Sequence, residues 1–218
     1  MITIIDLGIS NIKSITRGFI TQGFDIKPAY NARDVMGAAS VVLPGVGAFP
    51  RAVKVLRQKG IWEPLLDHAR QGKPLLGVCL GMQLLCTDSE EHRFTRGLGL
   101  IPGHIVRFPM EKSVPHMGWN QVVQTAESPI FKDVPSRADF YFVHSYYVRL
   151  DDEQYQTACT EHFIQFPSAV QNGNIFGLQF HPEKSQHYGL RILKNFALVS
   201  QKWNGKNLEE QHDFYPGN

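Results

Sequence analysis

Residues Lys73 to Cys86 read KPLLGVCLGMQLLC. The run Leu75 to Val78 is short and apolar, as a buried strand is, and Leu80 to Cys86 continues apolar without β-branching, as a helix does. Between them Gly77-Val78-Cys79-Leu80-Gly81 has the form G-x-C-x-G, a strand-to-helix turn with a cysteine at its tip. A residue at so sharp a turn is forced into strained dihedrals, and small residues must flank it to let the backbone pass. Gly77 and Gly81 meet that need.

Working outward, the same strand-then-helix plan occurs twice before this point. ITIIDLG at the start is an apolar run closed by Asp6 and Gly8, followed from Asn11 to Gln22 by Ile12, Ile15, Phe19 and Ile20 at helical spacing. SVVLPGVG is a β-branched run cut off by Pro44 and Gly45, and Phe49 to Gly72 is helical in pattern with breaks expected at Gly60 and Pro64. Three β-then-α units predict an α/β fold with a mostly parallel open sheet flanked by helices, because right-handed crossovers place the helices on its faces.

From about Gly103 the pattern changes to short strands, HIVRF, QVV, DFYFVHSYYV, PSAVQNGN and IFGLQFHPEKS. These predict antiparallel additions in the C-terminal half, with Asn172-Gly173 as a hairpin turn. A closing helix is expected from Tyr188 to Gln201, with Leu190, Leu193, Phe196 and Ala197 on one face. Residues 1–201 form a single expected domain and 202–218 a polar tail.

Composition removes several function classes. The 218 residues are 43% hydrophobic and 19% charged with a net charge of +2, an ordinary globular balance without a basic stripe for nucleic acid or an anionic membrane. MITIIDLG is too short for a signal peptide or a membrane span, so the expectation is cytoplasmic. The three cysteines, Cys79, Cys86 and Cys159, are widely spaced, which speaks against a disulfide framework and against a metal site.

A lone buried cysteine is ordinarily an inert small hydrophobe, so Cys79 needs a base. Of nine histidines, His68, His92, His104, His162 and His212 have nothing beside them in sequence and are expected at the surface. His181 differs: it follows the apolar run IFGLQF, and Pro182 is expected to hold the chain extended so that Glu183, two residues on, reaches its ring. The carboxylate would set the tautomer of His181, leaving the other ring nitrogen for the Cys79 proton. Backbone amides at the helix start favour an anionic sulfur. An acyl transfer also needs donors for an oxyanion: the amide of Leu80 is one, and the turn Gly45-Val46-Gly47 supplies the other through Val46 or Gly47. These segments lie at the carboxyl ends of strands, where open α/β sheets bind ligands. The residues alone leave open a peptidase or other hydrolase with the same triad, and a binding module that kept the fold.

The segments LPGVGAF, PLLGVCLGMQLL, Ser89-Glu90-Glu91, VPHMGWN, FYFVHSYY and GLQFHPEKS, from Leu43 to Ser185, resemble the class I, or triad, glutamine amidotransferases. Within them the match is widest to the glutaminase subunits of imidazole glycerol phosphate synthase. The resemblance implies Cys79, His181 and Glu183 as the triad and Gln83, Glu91, Ser145 and Tyr146 around bound L-glutamine, with no metal and no cofactor. It implies that ammonia passes to a separate (β/α)8 barrel cyclase subunit in histidine biosynthesis. It further implies that Asn11 and Trp119 lie near that partner, and that the Val46 amide is turned into the oxyanion hole when the partner is loaded. At the first βα turn, Ser10-Asn11 stands where the family commonly has Gly-Asn, and the tail is longer than the family needs. Both departures keep a second partner in view, a barrel subunit that makes amidine-bearing surface sugars.

Overall fold

The computed structural model describes residues 1–8, 12–109 and 114–203; Asn11 and the tail from residue 204 lie outside the described residues. The N-terminal half alternates strands and helices. β1 (Ile2–Ile5) leads to α1 (Ile12–Ile20), β2 (Ile26–Ala29) to α2 (Ala32–Met36), and β3 (Val41–Gly45) to α3 (Phe49–Gln58) and α4 (Trp62–Arg70). β4 (Leu75–Cys79) then runs directly into α5 (Leu80–Leu85).

The second of these units, β2 and α2, is absent from the expected three. Its strand is half exposed, so its pattern Ile-Lys-Pro-Ala carries little apolar signal. The local clue is Asn31, whose side chain accepts from the Arg33 and Asp34 amides and caps α2. Gly60 breaks the helical region as expected, at φ 67°, but Pro64 does not. It is the third residue of α4, where the backbone N–H has no helical acceptor to lose.

Strands dominate the remainder: β5 (Cys86–Ser89), β6 (Thr95–Arg96), β7 (Ile101–Arg107), β8 (His116–Gln124), β9 (Ala138–His144), β10 (Tyr146–Leu150), β11 (Gln156–His162), β12 (Ile164–Asn172) and β13 (Ile175–Leu178). The chain closes with α6 (Gln186–Lys202). One sheet has the order β2-β1-β3-β4-β13-β12-β11-β8-β9. Its first five strands are parallel and the rest antiparallel, the arrangement expected from the change of pattern along the chain. The hairpin from β12 to β13 turns at Gly173, φ 55°. A second sheet, β10-β7-β5-β6, was not foreseen, because Cys86 leaves the helix and enters β5 in extended backbone.

Two apolar layers cover the large sheet. Phe19, Ile15, Ile192, Leu193 and Phe196 bring α1 and α6 onto one face, while Val35, Phe49, Leu56 and Leu65 bring α2, α3 and α4 onto the other. The sheet therefore has solvent access mainly at its ends, and the carboxyl ends of β3, β4 and β13 lie side by side, with Gly45 opposite Cys79 and Leu178 opposite Val78. No helix among the described residues is long and apolar enough to cross a membrane.

Candidate active site

Cys79 sits at the end of β4 with φ 55° and ψ −111°, a left-handed backbone that a side-chain-bearing residue adopts only under constraint. The constraint is visible at its neighbours. A Cβ on Gly81 would lie 1.7 Å from the Leu43 carbonyl oxygen, and one on Gly77 would lie 2.7 Å from the backbone of Gly81. Strand β3 thus presses against the start of α5, and only glycine permits it. The same approach brings the Pro44-Gly45-Val46-Gly47 turn against Leu80, with Gly47 at φ 94°.

The candidate base lies in the segment after β13. His181 is buried at 3% exposure, its amide donates to the Tyr141 carbonyl on β9 at 2.9 Å, and its Nδ1 lies 2.8 Å from Glu183 Oε1. The segment is not extended as the sequence predicts from Pro182: Pro182–Lys184 form one turn of 3-10 helix. The pairing survives because proline suits the first position of such a turn and the carboxylate folds back onto the ring. Ser185 secures it, donating from Oγ to the His181 carbonyl at 2.6 Å and accepting from the Tyr141 amide at 3.0 Å.

The second ring nitrogen, Nε2, is buried and without a hydrogen-bond partner in the resting geometry. Burial works to lower the His181 pKa, but interaction with Cys79 and then with Glu183 outweighs it, and the pKa is raised to about 10. The raised value favours a protonated imidazole at His181. An imidazolium beside the sulfur is the arrangement that favours an anionic cysteine nucleophile.

A cavity of about 340 Å³ opens beside the sulfur. Its lining combines Cys79, Leu80, Val46 and Gly47 with Gln83, Glu91, Ser145 and Tyr146, together with Val143 and His144. Every residue expected at the oxyanion hole and around the ligand thus meets in one pocket with the nucleophile. Glu91 has a second task that its position in sequence did not reveal: Oε2 accepts from the Phe49 amide at 2.6 Å and caps α3, whose own N-cap residue, Ala48, has no side chain able to do so. Burial first, and the Glu91 carboxylate next, raise the pKa of Tyr146.

One residue beside the sulfur carries no motif in the sequence. Gln179, fully buried, brings Nε2 to 3.9 Å from the Cys79 sulfur and accepts from Gln83 through Oε1 at 3.1 Å. Its only signal was an amide within the apolar run IFGLQF. The surface expectation for histidines also fails in part. His68 is buried, its Nε2 bonded to the Pro74 carbonyl at 3.0 Å and its pKa lowered to about 4 by burial. His162 is half-buried and stacked on His116 at 4.1 Å, whereas His92 is exposed. Helix α4 and strand β11 face the core at those positions. Trp119 is 49% exposed on β8, beside a second hollow lined with Asp139, Ser185 and Tyr188. Among the described residues no group of three or more His, Cys, Asp or Glu side chains could hold a metal ion.

The family model described as glutamine amidotransferase class-I matches residues 3–199. Relatives named imidazole glycerol phosphate synthase subunit HisH include one from Desulfitobacterium hafniense, 42% identical over 93% of this chain and 94% of its own. Others are from Geobacter metallireducens, 47% identical over 90% and 97%, and from Listeria monocytogenes, 47% identical over 92% and 96%. Among solved structures, PurLQS from Thermotoga maritima aligns at TM-score 0.72 with 17% identity, over 91% of this chain and 97% of that one. A glutamine amidotransferase from the same organism aligns at 0.60 with 17% identity, over 96% and 88%. At these identities the structures speak for the fold.

Proposed function

The chain belongs to the class-I glutamine amidotransferases, and from that premise we propose that Cys79, His181 and Glu183 hydrolyse L-glutamine bound in the pocket beside Cys79. The chain is the glutaminase subunit of an imidazole glycerol phosphate synthase, the role its relatives carry over almost the whole of their length.

The Cys79 thiolate attacks the carbon of the glutamine side-chain amide. The resulting oxyanion accepts from the Leu80 amide and from an amide of the Val46-Gly47 turn. His181 gives its proton to the departing nitrogen, ammonia leaves, and a thioester remains. His181, now neutral, takes a proton from water, which opens the thioester to glutamate and restores the thiolate and the imidazolium. Glu183 stays ionised throughout and holds the ring in one orientation. In the same pocket the Glu91 carboxylate suits the α-ammonium of glutamine, and Gln83 and Ser145 suit its carboxylate.

The observation that carries this reading is the convergence of a strained Cys79 and the polar residues Gln83, Glu91 and Ser145 on one cavity of amino-acid size, with the Glu183-bound His181 interacting with Cys79. Ammonia is destined for a second subunit, a (β/α)8 barrel cyclase, and the pair works in the cytosol. Trp119 and Met117, 49% and 65% exposed on β8, offer that partner an apolar surface. Relatives named for the histidine-pathway synthase favour its cyclase over the surface-sugar barrel.

Glutamate release from glutamine, measured with and without a barrel cyclase and its phosphorylated ligand, tests the proposal. Activity should rise steeply with the loaded partner and vanish in Cys79→Ala. Retention of activity by Cys79→Ala in the complex would remove the assigned nucleophile.

A further inference from the structure

Two buried histidines that the reaction does not use stand directly opposite each other, His116 on β8 and His144 on β9. His144 Nδ1 lies 2.8 Å from the Tyr146 carbonyl, His144 Nε2 lies 2.9 Å from His116 Nδ1, and His116 Nε2 lies 3.1 Å from Asn120 Nδ2. The proton positions along this line follow from its two ends. A carbonyl only accepts, so His144 Nδ1 carries a hydrogen. At the other end the Asn120 amide is oriented by two bonds, Oδ1 accepting from the Gln121 amide and Nδ2 donating to the Glu161 carbonyl, both at 2.8 Å. Asn120 Nδ2 therefore donates to His116 Nε2, His116 donates from Nδ1 to His144 Nε2, and His144 donates from Nδ1 to Tyr146.

Each ring must be neutral for this order to hold. A proton on His116 Nε2 would face the Asn120 amide hydrogens, and a proton on His144 Nε2 would face the His116 Nδ1 hydrogen. Burial acts in the same direction, lowering the pKa of His116 to about 4 and of His144 to about 3. The His116 ring is stacked between Phe142 at 4.7 Å and His162 at 4.1 Å, which prevents it from turning.

The line does not stop at Tyr146. The same carbonyl accepts from Gln83 Nε2 at 3.0 Å, and Gln83 Nε2 also donates to Gln179 Oε1 at 3.1 Å. With both hydrogens of its amide nitrogen engaged, Gln83 keeps its carbonyl oxygen for the pocket. With its oxygen engaged, Gln179 turns its amide nitrogen toward the Cys79 sulfur. We propose that Asn120, His116 and His144 are positioning residues for the glutaminase reaction: a directional relay, anchored on β8, that sets the orientation of Gln83 toward glutamine and of Gln179 toward Cys79. The proposal rests on the glutamine pocket described above.

Long-range 1H–15N correlation spectra of histidine-labelled protein in complex with the barrel subunit test it directly. Neutral Nδ1–H tautomers for both His116 and His144 at pH 7 are expected; an Nε2–H tautomer or a cation at either ring overturns the relay. Glutaminase kinetics in the same complex give a second readout. His116→Leu keeps the bulk but leaves His144 Nε2 without a donor, and the expected result is a rise in KM for glutamine of about tenfold, larger than its effect on kcat. His116→Asn presents an amide hydrogen where Nδ1–H stood and should restore the parent KM. Equal kinetics in the parent and both variants, or equal impairment of both variants, would assign the histidines to packing alone. If His116→Leu does not fold, the tautomers of the parent still decide. A parent complex without glutaminase activity would instead remove the functional reading, and the tautomers would stand apart from it.

Discussion

Gly81→Ala probes the contact that gives Cys79 its position. The added Cβ would fall 1.7 Å from the Leu43 carbonyl oxygen, whereas carbon and oxygen approach ordinarily no closer than about 3.3 Å. Strand β3 and helix α5 must therefore part by roughly 1.6 Å, the difference between the two distances. Overpacking of this kind costs about 1–3 kcal/mol. At about 2–4 °C per kcal/mol for a chain of this size, the melting temperature should fall by roughly 2–12 °C. The separation also carries the Val46-Gly47 amides away from Leu80, and misplacement of reacting groups by about 1 Å costs on the order of 100-fold in rate. Thermal melts and kcat/KM for glutamine with the partner subunit measure both effects. Gly37→Ala is the control, since a Cβ there meets nothing within 4 Å and φ is −91°. A Gly81→Ala protein that melts with the parent and keeps its kcat/KM refutes the account of the elbow.

Glu183→Gln removes the charge that helps hold the His181 proton. The reaction needs that proton on the ring, so activity is lost as pH rises through the His181 pKa, and the variant's alkaline limb should move to lower pH while kcat/KM falls by on the order of 100-fold or more; an unmoved limb would separate Glu183 from the base. Glu91→Gln keeps an acceptor for the Phe49 amide but not the charge, so KM for glutamine should rise with little change in melting temperature. Glu91→Ala should add a loss of about 1 kcal/mol from the uncapped α3, and identical melts for the two would contradict the capping role. His68, His116 and His144 have folded-state pKa values of about 4, 4 and 3, depressed by burial below 6.5. The stability they contribute is present above pH 6.5 and is lost as pH falls toward 4, because the unfolded chain then binds the extra protons. Denaturant unfolding from pH 7.5 to 4.5 should show that decline, and His68→Gln, which keeps a donor for Pro74, should make it shallower by one proton.

Much of the site was legible because its signals are local. Gly77, Cys79 and Gly81 fall within five residues, and the conformation they impose follows from backbone sterics at one turn. His181 and Glu183 lie two apart, so their bond needs little from the rest of the molecule, and it formed even though the backbone between them coils rather than extends. The parallel half of the sheet was likewise readable from apolar runs that stop at turn residues. The unit β2-α2 was not, because a half-exposed edge strand has no need of an apolar pattern. Nor was the burial of His68, since its acceptor is the backbone carbonyl of Pro74, available to any donor the fold delivers there.

By itself the sequence determined the family, through long matching segments, the α/β class with a mostly parallel half, and the candidates for nucleophile and base. Only the tertiary structure decided how the polar wall of the pocket is ordered. Gln83 meets Gln179 across 96 residues and His116 meets His144 across 28. Such contacts depend on which elements the sheet brings together, and for His116 and His144 on the register of β8 against β9, where a shift by one residue would turn a side chain to the opposite face. A buried polar group must find its partner wherever the sheet places one, so the partners of Cys79 beyond its own turn are written in the pairing of β8, β9 and β13 and not in any local motif.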